Sequence, residues 1–173
     1  MEPFYGFPHA GAEDGHLRMV PATTPEHLAA ARTLIREYGA GLGIDLSFQH
    51  LEEELAGLPG AYAPPRGALL LALVQEQPEA CVALRPLAED IAEMKRLYVR
   101  PTRRGLGLGE LLAQAIVAEA KRLGYRRMRL DTLATMAGAQ AIYRRLGFKR
   151  IPAYYANPLP DVVYLELDLT AGA

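Results

Sequence analysis

A chain of 173 residues, half of them apolar and with a net charge of −1, has material for one domain with a full core and little for a second. That charge supplies no general field for nucleic acid or anionic lipid, and Cys81, the single cysteine, excludes an intramolecular disulfide. His9, His16, His27 and His50 show no metal-ligand spacing, and the only serine, Ser47, has no nucleophile-elbow glycines, so a metal centre and a serine hydrolase lose support.

Residues 1–15 are glycine-rich and aperiodic and are read as a mobile arm ahead of one domain, 16–173. The start lacks the basic and apolar regions of a signal peptide, and no apolar run reaches the length of a membrane span. A protein of the reducing cytoplasm is the expectation. A strand over 16–21 leads into Thr23-Thr24-Pro25-Glu26, which has the form of a capped helix start. Leu28, Ala31, Leu34 and Ile35 then mark a helix over 25–38. Gly39, Gly41 and Gly43 are read as that helix's end and a loop, and 47–58 as a second helix. The runs 67–74, 80–84 and 91–99 predict three neighbouring antiparallel strands, with a hairpin connection at 75–79 and a loop at 86–90. From Leu108, the positions Leu111, Leu112, Ala115, Ile116 and Leu123 keep helical spacing as far as the stop at Gly124. A strand over 125–131, a helix over 136–146 stopped by Gly147, and strands over 149–155 and 162–169 around Asn157-Pro158-Leu159-Pro160 complete the chain. The fold class is α+β, with helices on both faces of a mixed, mostly antiparallel sheet of about six to seven strands.

The most informative segment runs from Lys95 to Leu112, where a strand enters the basic turn Arg100-Pro101-Thr102-Arg103-Arg104-Gly105-Leu106-Gly107-Leu108-Gly109 and then a helix. Alternate glycines let successive N–H groups converge, and the helix adds a partial positive charge, which together suit a pyrophosphate. The dinucleotide fingerprint fails, because counting from Gly105 puts Glu110 at the third glycine and counting from Gly107 puts Leu112 there. A Walker loop fails too, since the segment ends Gly109-Glu110-Leu111. Arg104, Gly107 and Gly109 fit R-x-x-G-x-G instead. This resembles the acetyl-CoA loop of the GNAT superfamily of N-acetyltransferases. The order of strand, glycine loop, helix, strand and a helix ending Ala141-Ile142-Tyr143-Arg144-Arg145-Leu146-Gly147-Phe148 is similar to the same enzymes over residues 91–148.

The resemblance implies a GNAT-like fold and transfer of an acetyl group from acetyl-CoA to a primary amine, on a metabolite or a protein, directly in a ternary complex. A non-catalytic acyl-CoA sensor is the alternative, and a homodimer is open. Tyr143 stands where the family places the general acid that protonates the CoA thiolate; its other reading is a packed core ring. Glu93 stands where one branch of the family has its catalytic glutamate, acting through a water, but strand alternation would put it beside Lys95, Leu97 and Val99, where Lys95 could neutralise it as a surface pair. The resemblance further implies cofactor contacts from Leu97, Tyr98 and Val99, around a β-bulge, and from Arg104, Gly105, Leu106, Gly107, Leu108, Gly109 and Glu110. Arg100 and Arg103 read equally well as a solvated turn. The family's asparagine seven residues before the tyrosine is here Met136, with Thr132 or Thr135 as substitutes. For the acceptor, Asp45, Gln49, Glu52, Tyr62, Tyr154, Tyr155 and Asn157 are candidates, though Glu52-Glu53-Glu54 also reads as a solvated face. Acetyl-CoA should therefore stabilise the protein in a thermal-shift assay, by about 2.7 kcal/mol at a hundred times Kd. A shift with NAD or ATP and none with acetyl-CoA would contradict this reading.

Overall fold

The computed structural model describes residues 17–43 and 50–171; residues 1–15, Asp45, Ser47 and Gln49 lie outside them. Among the described residues seven strands form one sheet: β1 (Leu17–Pro21), β2 (Ala68–Val74), β3 (Gln77–Pro86), β4 (Ile91–Val99), β5 (Arg127–Leu133), β6 (Lys149–Ile151) and β7 (Val162–Asp168). Their order is β1-β2-β3-β4-β5-β7-β6, and every pairing is antiparallel except β4 with β5.

Helices α1 (Pro25–Gly41) and α2 (Leu51–Ala56) cover one face, and α3 (Leu108–Arg122) and α4 (Ala137–Leu146) the other. This explains the unbroken apolar run of β2. Leu69, Leu71 and Leu73 join Leu34, Ile35 and Leu55 in one core, while Leu70 and Ala72 join Leu112 and Ile116 in the second. Thr24 caps α1, its Oγ1 accepting the His27 N–H at 3.2 Å.

Four expectations change. The hairpin between β2 and β3 is tighter than 75–79: Gln75 and Glu76 turn alone, both with positive φ (51° and 64°), the backbone twist that a two-residue hairpin demands. α1 continues through Gly39, which is buried, to Gly41, because the close packing of Gly39 gives the helix a reason to persist. The strand over 149–155 stops at Ile151 before Pro152, which has no N–H to offer a ladder, so Tyr154 and Tyr155 sit in a crossing segment. Finally, Glu93 does not share a face with Leu97 and Val99. Arg96 and Leu97 together oppose Val82, since Cys81 pairs with Tyr98 and Ala83 with Lys95, and this β-bulge reverses the alternation.

Candidate active site

The bulge shapes a cleft. β4 and β5 pair at only three positions, Ile91, Glu93 and the residue between them against Arg127 to Arg129, and then part. Beyond the split, Met94, Leu97 and Val99 pack towards α3 and α4. Arg96 holds the bulge with a left-handed φ of 61°, a conformation that costs an ordinary residue roughly 1–2 kcal/mol. Its side chain is 2% exposed and forms a two-point pair with Glu54 of α2, Nε to Oε2 at 2.9 Å and a terminal nitrogen to Oε1 at 3.1 Å. Tyr62 also donates to Glu54, at 2.8 Å. Glu54 is thus a structural partner rather than part of a solvated face, and Tyr62 packs in the core. Glu52 lies on the surface opposite Arg36.

On one side the cleft opens into a groove of about 790 Å³. Leu97, Tyr98, Val99, Arg104, Gly105, Gly107, Leu108, Gly109 and Glu110 all line it, as do Thr135 and the first residues of α4. Leu106 does not; its side chain points outward, 66% exposed. The backbone N–H groups of residues 105–110 have no acceptor among the described residues. Six consecutive open donors at a helix start form an anion seat. The glycines have separate reasons. Gly105 and Gly107 adopt φ of 81° and 83° with open space where a Cβ would stand, whereas a Cβ on Gly109 would lie 3.3 Å from Ile142 Cδ1. A side chain at 107 would therefore be strained by backbone conformation alone.

The arginines divide similarly. Arg100 is engaged by Glu37, at 3.0 and 2.9 Å, and braces the turn. Arg104 donates Nε to the Val99 carbonyl at 3.0 Å and lies over the Tyr98 ring, leaving its other nitrogens at the groove. Glu110 pairs with Arg145 across the groove wall, at 3.0 and 3.1 Å, so only its backbone N–H is free for a ligand. Thr132 donates to Met136 Sδ at 3.8 Å, and Thr135 faces the groove.

The inner end of the cleft is a cavity of about 60 Å³, which shares Tyr38, Leu42, Leu97 and Met136 with the groove. Tyr143 lines it, packed edge-on to Phe148, and burial raises its pKa above the ordinary tyrosine range. Such a hydroxyl keeps its proton at neutral pH. Lys95, Arg96, Asp131 and Asn157 line the same cavity. Asp131 Oδ2 accepts the Tyr155 hydroxyl at 2.7 Å and lies 3.5 Å from Asn157 Nδ2. Tyr155 and Asn157 are joined at 2.8 Å. Asp131, Tyr38 and Lys95 were not read from the sequence as site residues. The signal for Asp131 was its polar side chain in a strand otherwise backed by Met128 and Leu130.

Glu93 lines neither cavity. It is 1% exposed, with Oε1 receiving Arg85 Nε at 2.8 Å and Oε2 receiving the Tyr154 hydroxyl at 2.6 Å. Its partner is Arg85, not Lys95, and it is buried rather than at the surface. Cys81 is fully buried, its thiol pushed up to about 12 by that burial, so it supplies no thiolate at neutral pH. Among the described residues no group of His, Cys, Asp or Glu could hold a metal ion, and no helix is long and apolar enough to cross a membrane.

Comparison with known proteins agrees with this geometry. The model of the acetyltransferase (GNAT) family matches residues 30–148. An uncharacterized N-acetyltransferase of Schizosaccharomyces pombe is 43% identical over 148 residues, 84% of this chain and 91% of that one. An acetyltransferase structure from Streptococcus agalactiae superposes with a TM-score of 0.72 at 23% identity, covering 88% of this chain and 98% of that one. The PaiA N-acetyltransferase of Thermoplasma acidophilum, solved in complex with coenzyme A, gives 0.68 at 18% identity, with coverage of 88% and 99%.

Removing Arg85 should expose how the buried carboxylate is held. Arg85→Met leaves Glu93 without its cation, and because the Arg85 side chain is itself 38% exposed, water offsets part of the loss and about 1–3 kcal/mol of destabilisation is expected at neutral pH. Arg85→Met combined with Glu93→Gln, which removes the unpaired charge, should recover stability. Denaturant unfolding measures this; a double variant no more stable than Arg85→Met alone would contradict it.

Proposed function

Since the chain belongs to the acetyltransferase (GNAT) family and is an acetyltransferase, we propose that it moves the acetyl group of acetyl-CoA directly to a primary amine within a ternary complex. The observation that carries this reading is the run of open N–H donors at residues 105–110, at the mouth of a groove leading to Tyr143. Those amides, with Arg104 and the N-terminus of α3, fit a pyrophosphate. Thr135 and the start of α4 line the opposite wall. The thioester brought there supplies an activated acetyl carbon.

The chain's own residues then have three tasks. Asp131, on the inner cavity, receives the acceptor's ammonium and takes one proton from it, which frees the lone pair with which the nitrogen then attacks the carbonyl. Backbone N–H groups beyond the split of β4 from β5 face the developing oxyanion. Tyr143 gives its hydroxyl proton to the departing sulfur as the carbon–sulfur bond breaks; the second proton, lost by the nitrogen as the intermediate collapses, restores Tyr143 through water, and the proton on Asp131 passes to solvent. Its raised pKa suits an acid. Glu93, held by Arg85 and Tyr154, is a positioning residue for the crossing segment that carries Tyr154, Tyr155 and Asn157. This replaces the role that its sequence position implied. Inert Cys81 leaves no nucleophile for a covalent intermediate at this place.

Two substitutions test these roles. Tyr143→Phe keeps the ring packing and deletes the proton, so steady-state assays should show turnover down by ~10²–10⁴ with CoA affinity nearly unchanged; wild-type turnover would return Tyr143 to the core. Asp131→Asn should lower kcat/KM most near neutral pH and recover as rising pH supplies free amine. Glu93→Gln should leave the shape of that profile alone. If Glu93→Gln instead flattened the profile and Asp131→Asn did not, Glu93 would be the base.

A further inference from the structure

Two opposite charges line the inner cavity without neutralising each other. Lys95 is partly buried on β4, one residue before the bulge, and forms no hydrogen bond or ion pair among the described residues, although the Glu93 carboxylate on the same strand face and, after it, Asp131 across the split act on its charge. Burial and the adjacent Arg96 cation hold the Lys95 ammonium below its ordinary range. Every other cation around the cavity has a partner: Arg96 with Glu54, Arg85 with Glu93 and Arg129 with Glu166. Across the split, Asp131 uses only Oδ2, for Tyr155 and Asn157, and Oδ1 has no partner among the described residues.

The Lys95 ammonium and Asp131 Oδ1 make no hydrogen bond to protein among the described residues, so each has capacity for a ligand group of opposite charge. One ligand carrying both charges meets both. We propose that Asp131 and Lys95 are a zwitterion-binding pair, Asp131 receiving the ammonium and Lys95 the carboxylate of a small free amino acid. The acceptor is then an aminocarboxylate rather than a simple amine or the N-terminus of a polypeptide, whose nearest carboxylate is an amide. The cavity's size agrees, since about 60 Å³ is roughly four waters' worth of room, enough for a zwitterionic head. This rests on the reading of the cleft as the acceptor site.

The test compares free amino acids with their carboxamides and decarboxylated amines, in acetyl transfer and in calorimetric binding in the presence of CoA. Free amino acids should exceed their carboxamides by about tenfold or more in kcat/KM and in affinity, as expected for a hydrogen-bonded charge partly out of water. Lys95→Met should bring the amino acid down to the level of the carboxamide, and Lys95→Arg, which keeps the cation, should retain the preference. Transfer to all these amines with no preference for a carboxylate overturns the pair and leaves the acetyltransferase reading standing. Absence of transfer to any amine, with binding still selective for the zwitterion and dependent on Lys95, overturns amine transfer and supports the pair. Equal binding of acid and carboxamide, or binding of neither, overturns the pair.

Discussion

The ion pair between Arg96 and Glu54 is the interaction on which the site depends. A left-handed arginine inside a central strand is unfavourable on its own, and a guanidinium 2% exposed would be more so. The two-point contact with Glu54, itself braced by Tyr62, offsets both by fixing the planar charge in a fork of matching geometry. With Arg96 so held, β4 carries one residue more than β3 can pair, and its path departs from β5 after Glu93. The cleft is the result. The same bulge turns Lys95 and Leu97 to opposite faces, so the polar inner cavity and the groove are lined by neighbouring residues of one strand.

The glycine loop works on a different principle. Its six open N–H groups are what remains when a chain must reach a helix start without spending its donors on itself. Gly105 and Gly107 supply the left-handed turns, and Gly109 supplies close contact between α3 and α4 at Ile142. Only the first two are explained by backbone conformation; the third is packing. Alternate spacing is thus two requirements that coincide; inside α1 the buried Gly39 answers to packing alone, and Gly41, where a Cβ would meet open space, answers to neither.

The sheet, the helices and the turns of the glycine loop were legible because each leaves a local trace: unbroken apolar runs for doubly covered strands, helical spacing for α1 and α3, and glycines for left-handed turns. The place of Tyr143 near the end of α4 was legible through its motif. The acceptor end was not, because its parts come from distant segments and join through the tertiary fold. Glu93 meets Arg85 across a strand pair and Tyr154 from 61 residues away, and the alternation that set Glu93 beside Leu97 and Val99 does not survive the bulge that the resemblance implied near them. Asp131 and Lys95 each look like ordinary strand polarity until β4 and β5 separate. Glu54 looked like surface charge for the same reason: its partner, Arg96, lies 42 residues further along.

The central claim is that the amides of residues 105–110 seat the pyrophosphate of acetyl-CoA and so fix the reacting end at Tyr143. Amide chemical shifts of the labelled protein, followed during titration with acetyl-CoA, test this directly. The account predicts large, saturable downfield shifts confined to residues 105–110, with smaller changes at residues 97–99 and 135–139, as open donors acquire charged acceptors. Saturable binding that leaves the amides of 105–110 unmoved would contradict it.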